Sequence, residues 1–180
     1  PSDITVARTI GSNGGSISIP QVGFTLTVPR GAVARFLTNG DPDLSFGGFG
    51  NLKVDPFGSP AETTGLSDLT IDSNERIVLS GRAPGAEQFA AVRLTANGVL
   101  DGSFGQGGIS RVDFDPDLNE YSGRIDIDEQ GRIFLTGAVY ANTPSDRSAR
   151  PRLSAIDYDL AATRLKPDGS LDSSYGNDGK

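Results

Sequence analysis

The chain has 180 residues and contains no cysteine, histidine, methionine or tryptophan. Without histidine or cysteine it cannot form a Ser-His-Asp triad, a Cys-His dyad, a histidine proton shuttle or an ordinary zinc site. Chemistry is then restricted to carboxylates, lysine, tyrosine and metals bound by oxygen ligands. We therefore expect a noncatalytic protein without a cofactor, calcium being the one metal to consider.

Positive charge and long apolar runs are also scarce. The 16 Lys and Arg residues against 23 Asp and Glu give a net charge of -7, and nucleic-acid binding needs clustered Lys and Arg, so a nucleic-acid partner is not expected. No run approaches eighteen apolar residues and none has the layout of a signal peptide, so we expect a soluble chain without membrane insertion. The missing methionine predicts that the initiator was removed or that the natural N-terminus lies upstream.

Turn-forming residues are abundant. The chain has 24 glycines and 11 prolines, and its apolar residues come in short runs separated by Gly, Pro, Asp, Asn and Ser. Such short, regularly interrupted apolar runs are typical of an all-β protein.

One glycine-rich string occurs three times without a gap: "RFLTNGDPDLSFGGFG" at 35–50, "RLTANGVLDGSFGQGG" at 93–108 and "RLKPDGSLDSSYGNDG" at 164–179. Each copy, which we call a corner, has a glycine, an aspartate and an aromatic residue in register. These residues are Gly40, Gly98 and Gly169; Asp43, Asp101 and Asp172; and Phe46, Phe104 and Tyr175.

A structural role explains every part of the corner. Asn97 and Gly98 supply the positive φ angles of a tight turn. The carboxylate of Asp101 is expected to accept the N–H groups of Ser103 and Phe104, and the Phe104 ring to pack between neighbouring sheets. The alternative is an anion- or metal-binding loop, but the corner lacks the lysine and the following helix of a phosphate loop.

Between the corners lie two further similar strings, 66–81 and 122–137. In both, apolar and polar residues alternate on either side of a short turn, which predicts a β-hairpin. The second spacing is longer because of an insertion at about 139–153, which is rich in polar residues, Arg and Pro and is expected to be an exposed loop. Four short strands per repeat favour a propeller blade over a solenoid coil.

The pattern R-L-x-x-x-G-x-L-D-x-S-F-G-x-x-G, followed by I-x-I-D-x-x-G-R-I-x-L-x-G, resembles the delta-60 repeat over about residues 34–180. That resemblance implies a β-propeller-like fold, found in tandem in secreted and surface proteins of bacteria, and brings no established catalytic residues. The first corner departs from the pattern at residues 41–44, where Asp, Pro and Leu replace the usual turn and leucine spacing, so we expect it to be distorted.

The N-terminal stretch is different. Residues 10–33, with their Gly-Gly entry and alternating apolar positions, resemble the opening hairpin of a ZU-type β-sandwich domain, as in netrin receptors and ankyrins. The alternative is a hairpin that caps the first blade. We therefore divide the chain into an N-terminal β-hairpin segment, 1–33, and the propeller-like repeats, 34–180.

The densest group of oxygen ligands is "DFDPDLNEY" at 113–121. Alternate spacing in a curled loop suits calcium, although Leu118 and Arg124 stand where an EF-hand loop has glycine and glutamate. The alternative is an acidic edge facing water. The candidate ligands are Asp113, Asp115, Asp117 and Asn119, with Glu120 adjacent.

Two carboxylate pairs, Asp126-x-Asp128 and Asp157-x-Asp159, suggest glycan cleavage by paired acids. The repeat argues against this, because Asp128 corresponds to Asp72 in the hairpin turn, where a capping role is expected.

The insertion contains the one local basic patch of this acidic chain. A long loop on a rigid scaffold is a natural place for binding. The alternative is a loop whose charges are simply solvated. The candidate interaction residues are Tyr140, Arg147, Arg150 and Arg152.

These features predict an all-β fold of β-propeller-like repeats, with about two and a half blades and an N-terminal β-hairpin. A closed propeller needs four to eight blades, so this chain belongs to a longer array or assembles with its own copies as a ring or filament. We expect a structural or protein-interaction module of a secreted or surface bacterial protein. Its expected partners are copies of itself or adjacent repeats, and a glycan or surface protein is a further candidate. The alternatives are a carbohydrate- or calcium-binding propeller and a carboxylate-dependent glycan-cleaving enzyme.

Overall fold

The structure is a computed structural model that describes residues 4–7, 15–19, 24–28, 32–37, 39–47, 50–54, 65–83, 88–116, 118–141 and 158–180. These residues form twelve β-strands and no helix, so none of them belongs to a helix that could cross a membrane. The strands are β1 (Ile4–Ala7), β2 (Gly15–Ile19), β3 (Phe24–Val28), β4 (Ala32–Leu37), β5 (Asn51–Lys53), β6 (Gly65–Ile71), β7 (Ile77–Ala83), β8 (Gln88–Leu94), β9 (Ile109–Val112), β10 (Leu118–Ile127), β11 (Ile133–Ala141) and β12 (Asp159–Leu165).

The described strands form four antiparallel sheets. The first has the order β1-β4-β5, the middle sheet β6-β7-β8-β9 and the third β10-β11-β12, while β2 and β3 pair as a separate hairpin. The sheets do not close into a ring. The prediction of an all-β fold of incomplete propeller-like repeats is therefore confirmed.

The middle sheet shows how one repeat folds. The predicted hairpin forms with Leu69 opposite Leu79 and Ile71 opposite Ile77, and β8 then pairs with β7 along its whole length. After the corner, β9 pairs with β8, so the corner joins two strands of one sheet. The first and middle sheets therefore each take strands from both sides of a corner.

The third sheet repeats this register. Ile125 lies opposite Leu135 and Ile127 opposite Ile133, and β12 takes the place that β8 has in the middle sheet. The predicted insertion begins within β11, which runs to Ala141. The rest of the insertion lies outside the described residues.

The first sheet uses a different strand. β4 corresponds to β8, and β1 occupies the position that β7 has in the middle sheet. The first sheet thus contains a strand from either side of residue 33. The division of the chain at that residue stays a prediction.

Two apolar clusters fill the spaces between consecutive sheets. The cluster between the first and middle sheets contains Val33, Phe46, Val54, Ile77, Leu79, Val92 and Leu94. The cluster between the middle and third sheets contains Val78, Phe89, Ala91, Phe104, Val112, Ile125, Ile133, Leu135, Val139, Ala161 and Leu165.

Among the described residues, only one face of the third sheet packs against another sheet. Side chains alternate across a strand, and Leu135, Thr163 and Leu165 face the middle sheet and are fully buried. The opposite face, together with the corner beside it, is what we call the open face. It includes Phe134, Ala138, Leu160, Ala162, Arg164 and Tyr175.

Candidate functional site

An arginine organises each corner. In the second corner the Nε of Arg93 donates to Oδ2 of Asp101 at 2.8 Å, and a terminal nitrogen donates to the Ser103 hydroxyl at 3.1 Å. The guanidinium carbon lies 4.6 Å from the centre of the Phe104 ring, within cation–π range. The side chain of Arg93 is only 3% exposed, so the arginine is a buried cation that its own corner pairs with a carboxylate.

The aspartate closes the turn. Oδ1 of Asp101 accepts from the N–H of Ser103 at 3.1 Å and from its hydroxyl at 2.6 Å. The Ser103 hydroxyl, the Ser103 N–H and the Arg93 guanidinium hold the pKa of Asp101 below its ordinary value, although burial opposes them. The prediction that the carboxylate also accepts from Phe104 is wrong. That N–H donates to the main-chain carbonyl of Asp101 at 3.0 Å, because the carboxylate is already occupied by serine and arginine.

The first corner has the same geometry. Arg35 donates to Asp43 at 2.8 Å and to the Ser45 hydroxyl at 3.2 Å, and it lies 4.7 Å from the centre of the Phe46 ring. The distortion expected from residues 41–44 is therefore wrong. The arginine, aspartate and serine fix the turn, and the altered positions do not take part in these bonds.

Each of the first two arginines also reaches the next corner. Nη1 of Arg35 donates to the carbonyl of Ala96, and Nη1 of Arg93 donates to the carbonyl of Pro167 at 2.5 Å. Both acceptors lie three residues after the arginine of their own corner. The same link thus occurs at both boundaries between consecutive corners.

A glycine packs on an aromatic ring at each of these boundaries. A Cβ at Gly98 would lie 2.9 Å from the Phe46 ring, and a Cβ at Gly169 would lie 2.8 Å from the Phe104 ring. Real side chains do not come this close, so both positions require glycine for space as well as for their positive φ. We call this contact, an arginine and aromatic ring of one corner against the glycine turn of the next, the joint.

A cleft of about 810 Å³, with a mixed polar and apolar lining, lies between the second and third corners. Main-chain and hydroxyl groups link its two sides: the N–H of Gly105 donates to the carbonyl of Asp168 at 2.7 Å, and Ser110 donates to the carbonyl of Gly169 at 2.7 Å. Other lining residues include Ser103, Arg111 and Ser170. The cleft therefore lies along the joint between the second and third corners.

The calcium candidates lie after β9. Asp113 is exposed and accepts from Gln88 at 2.9 Å, Asp115 is exposed, and Asn119 is buried in β10. Asp117 lies outside the described residues. Among the residues that the structure does describe, no three carboxylates form a group suited to a metal. The calcium site stays a prediction because one of its ligands is not described.

The neighbouring Glu120 is a buried structural carboxylate, only 1% exposed. It accepts N–H groups from Phe89 at 3.1 Å, Phe114 at 2.5 Å and Asp115 at 3.4 Å. Burial raises the pKa of Glu120, and these three N–H donors oppose the rise. Its carboxylate links the start of β8 to the segment before β10.

The capping role expected of Asp128 is confirmed. Its carboxylate accepts from the N–H groups of Gln130 and Arg132 and from Nε of Arg132 at 2.6 Å. Asp72 makes the same set of bonds in the middle hairpin. Asp126 and Asp159 are exposed, and Asp157 lies outside the described residues.

Of the candidate interaction residues, only Tyr140 is described. Its ring stacks on Tyr121, with ring centres 5.6 Å apart, and lies 5.2 Å from the ring centre of Tyr158. Tyr121 and Tyr158 are exposed. These three tyrosines, which we call the tyrosine cluster, border Leu160. Arg147, Arg150 and Arg152 lie outside the described residues.

Sequence reasoning missed the role of the arginines. Arg35, Arg93 and Arg164 served only to align the repeats, although their recurrence in register beside an aspartate, a serine and an aromatic ring was the available signal. That the arginine reaches a second corner depends on how the sheets stack.

Two stretches of the chain, residues 22–46 and 68–104, match the model of a family described as a domain of unknown function (DUF5122) beta-propeller. They include the arginine and aspartate of the first two corners. Comparison with curated proteins gave no match. The likeness to a β-propeller repeat is thus supported, and the likenesses to the delta-60 repeat and to a ZU-type domain remain resemblances.

Proposed function

We propose that this chain is a noncatalytic structural module of a secreted or surface bacterial protein, which assembles through its repeats with copies of itself or with adjacent repeats. The element that recurs at each boundary of this assembly is the joint. In this proposal the corners have a structural role, because their polar groups form hydrogen bonds within one repeat and between consecutive repeats.

The observation that carries the proposal is a difference between two equivalent positions. Phe89 of β8 and Leu160 of β12 occupy the same place in their sheets, opposite Arg82 and Ala138 respectively. Phe89 is 0% exposed because residues of the next repeat and Val112 of the adjoining strand β9 pack around it, and Leu160 is 95% exposed. An apolar face of this kind, adjoining a corner already shaped for a joint, favours association.

The test is the mass of the particle in solution as a function of concentration, by light scattering, with negative-stain imaging of the same samples. Rings, fibres or discrete oligomers support the proposal. A monomer at every concentration up to the millimolar range contradicts it.

The tyrosine cluster favours glycan binding as a second candidate function. Exposed aromatic rings offer flat surfaces on which sugar rings stack, and Tyr121 and Tyr158 are 45% and 56% exposed. A glycan array followed by titration with Tyr158→Ala would test this. Binding that survives the substitution unchanged would contradict a role for the cluster.

A further inference from the structure

The third corner has every part of a joint except the turn that should lie on it. Arg164 donates to Asp172 at 2.7 Å and to the Ser174 hydroxyl at 2.8 Å, and its guanidinium lies 4.9 Å from the centre of the Tyr175 ring. In the described part of the chain no carbonyl accepts from Nη1 of Arg164, the atom that reaches Ala96 and Pro167 in the other two corners.

The sheet beside this corner also has a face that is exposed where the equivalent face of the middle sheet is buried. Val78 and Phe89 of the middle sheet are buried by the third sheet, whereas their counterparts Phe134 and Leu160 are partly and almost fully exposed. The aromatic residue of the corner changes in the same way, since Phe104 is buried and Tyr175 is partly exposed. The open face is therefore the surface that a following repeat covers at the other two boundaries.

The opposite half of a joint is exposed on the first corner. Gly40 corresponds to Gly98 and Gly169 and shares their backbone conformation, with φ of +88° against +83° and +88°. Those two glycines are buried under aromatic rings, but a Cβ at Gly40 would meet no atom within 4 Å. The Gly40 turn thus has the shape of the missing partner and no ring upon it.

We propose that the open face of the third sheet receives the Gly40 turn of a second copy of this chain, with Tyr175 stacking on the glycine and Arg164 donating to a main-chain carbonyl of that turn. This inference rests on the proposed self-assembly and specifies its geometry as head to tail. A head-to-tail contact uses two different surfaces of each copy, so it propagates into a ring or a filament.

Two substitutions separate the two surfaces. Leu160→Arg places a charge on the open face at a position that does not enter the core. Gly40→Asn adds a residue that tolerates positive φ and whose Cβ has no atom of its own chain within 4 Å, but its side chain would collide with Tyr175 of the second copy. Val99→Arg, at another exposed apolar residue, and Gly107→Asn, at another glycine with positive φ and open space, are the matched controls.

Sedimentation velocity of the 180-residue chain and its variants measures association and so tests the head-to-tail geometry. Circular dichroism verifies that each variant is folded. We expect the wild type and both controls to associate, and Leu160→Arg and Gly40→Asn each to weaken association at least about tenfold. Mixing these two variants should give a complex of two chains that grows no further, because one intact open face and one intact turn remain.

The outcomes distinguish the two proposals. A wild type that stays monomeric contradicts both. Association that is lost in Leu160→Arg but unchanged in Gly40→Asn retains self-assembly and overturns the head-to-tail geometry, as in a two-fold contact between open faces. A mixture of the two variants that fails to form the two-chain complex also overturns it.

Discussion

Phe89 and Leu160 occupy equivalent positions in the middle and third sheets, yet one is completely buried and the other is almost completely exposed. Their pairing with β7 and β11 is the same and both lead into a corner, but β8 also pairs with β9, whereas β12 is an edge strand among the described residues. The difference arises from the neighbours: the third sheet and β9 cover Phe89, and no described residue covers Leu160 to a similar extent. In this fold, burial is a property of the boundary between repeats.

The largest expected effect is at this pair. Phe89→Ala should lower the free energy of unfolding by about 3–5 kcal/mol, because a fully buried ring is lost and a cavity remains. Leu160→Ala should change it by less than about 0.5 kcal/mol in the monomer. Urea unfolding of both variants at low protein concentration measures this, and equal losses at the two sites would contradict the comparison.

The arginines extend the comparison to the corners. Arg93→Ala should lower the free energy of unfolding by about 3 kcal/mol, since it leaves the partly buried Asp101 with only the more distant Arg76, at 3.6 Å, and removes the bond to Pro167. Arg164→Ala should cost about half as much, because the Arg164 side chain donates hydrogen bonds only within its own corner, as far as the structure describes the chain. Urea unfolding provides the values, with Arg124→Ala, at an exposed arginine, as the control. A larger loss at Arg164 would mean that the link to the next corner contributes little.

Substitutions at Gly98 and Gly40 should show a smaller difference in stability. Gly98→Asn should destabilise the chain by about 1–3 kcal/mol, because the new Cβ meets the Phe46 ring. Gly40→Asn should cost less than about 1 kcal/mol, since asparagine tolerates positive φ and the space at Gly40 is empty. Thermal melts of the two variants compare them directly. Similar melting temperatures would show that the Phe46 ring can move aside for the added side chain without loss of stability.

The smallest effects concern pH and oppose each other. The pKa of Asp101 is lowered in the folded chain, so its contribution to stability is present above the ordinary aspartate value and is lost as the pH falls below about 4. The pKa of Glu120 is raised, so its contribution is greatest at acid pH and is lost as the pH rises through the folded value.

Unfolding measured from pH 7 down to pH 3 tests these signs. The stability advantage of the wild type over Asp101→Asn should shrink on acidification below pH 4. The stability of the wild type relative to Glu120→Gln should rise between pH 7 and pH 4. A difference that does not change with pH in either pair would contradict the corresponding pKa shift.

The sequence predicted the parts of this fold that depend on local chemistry. Alternation around Asp72 and Asp128 located both hairpins, and the recurring glycine, aspartate and aromatic residues located all three corners. These features are readable because turn residues and a period of two act within a few residues of chain.

The features that depend on stacking could not be predicted. Pairing of β9 with β8 determines that a corner lies within a sheet, and the reach of Arg93 to Pro167 follows from how two sheets meet. The exposure of Leu160 has no local signal at all, because its neighbours along the chain resemble those of Phe89. Nor did the spacing of Asp113 and Asn119 reveal that one would be exposed and the other buried.

The arginine of each joint recognises a carbonyl oxygen, that of Ala96 in one case and of Pro167 in the other. Every residue carries such an oxygen, so the acceptor is retained whichever side chain mutation places there. Neighbouring repeats can consequently differ in sequence, and can contain insertions such as the one that begins within β11, while the hydrogen bond between them is retained. A long array built on this principle could vary its outer surface from one unit to the next and still hold together.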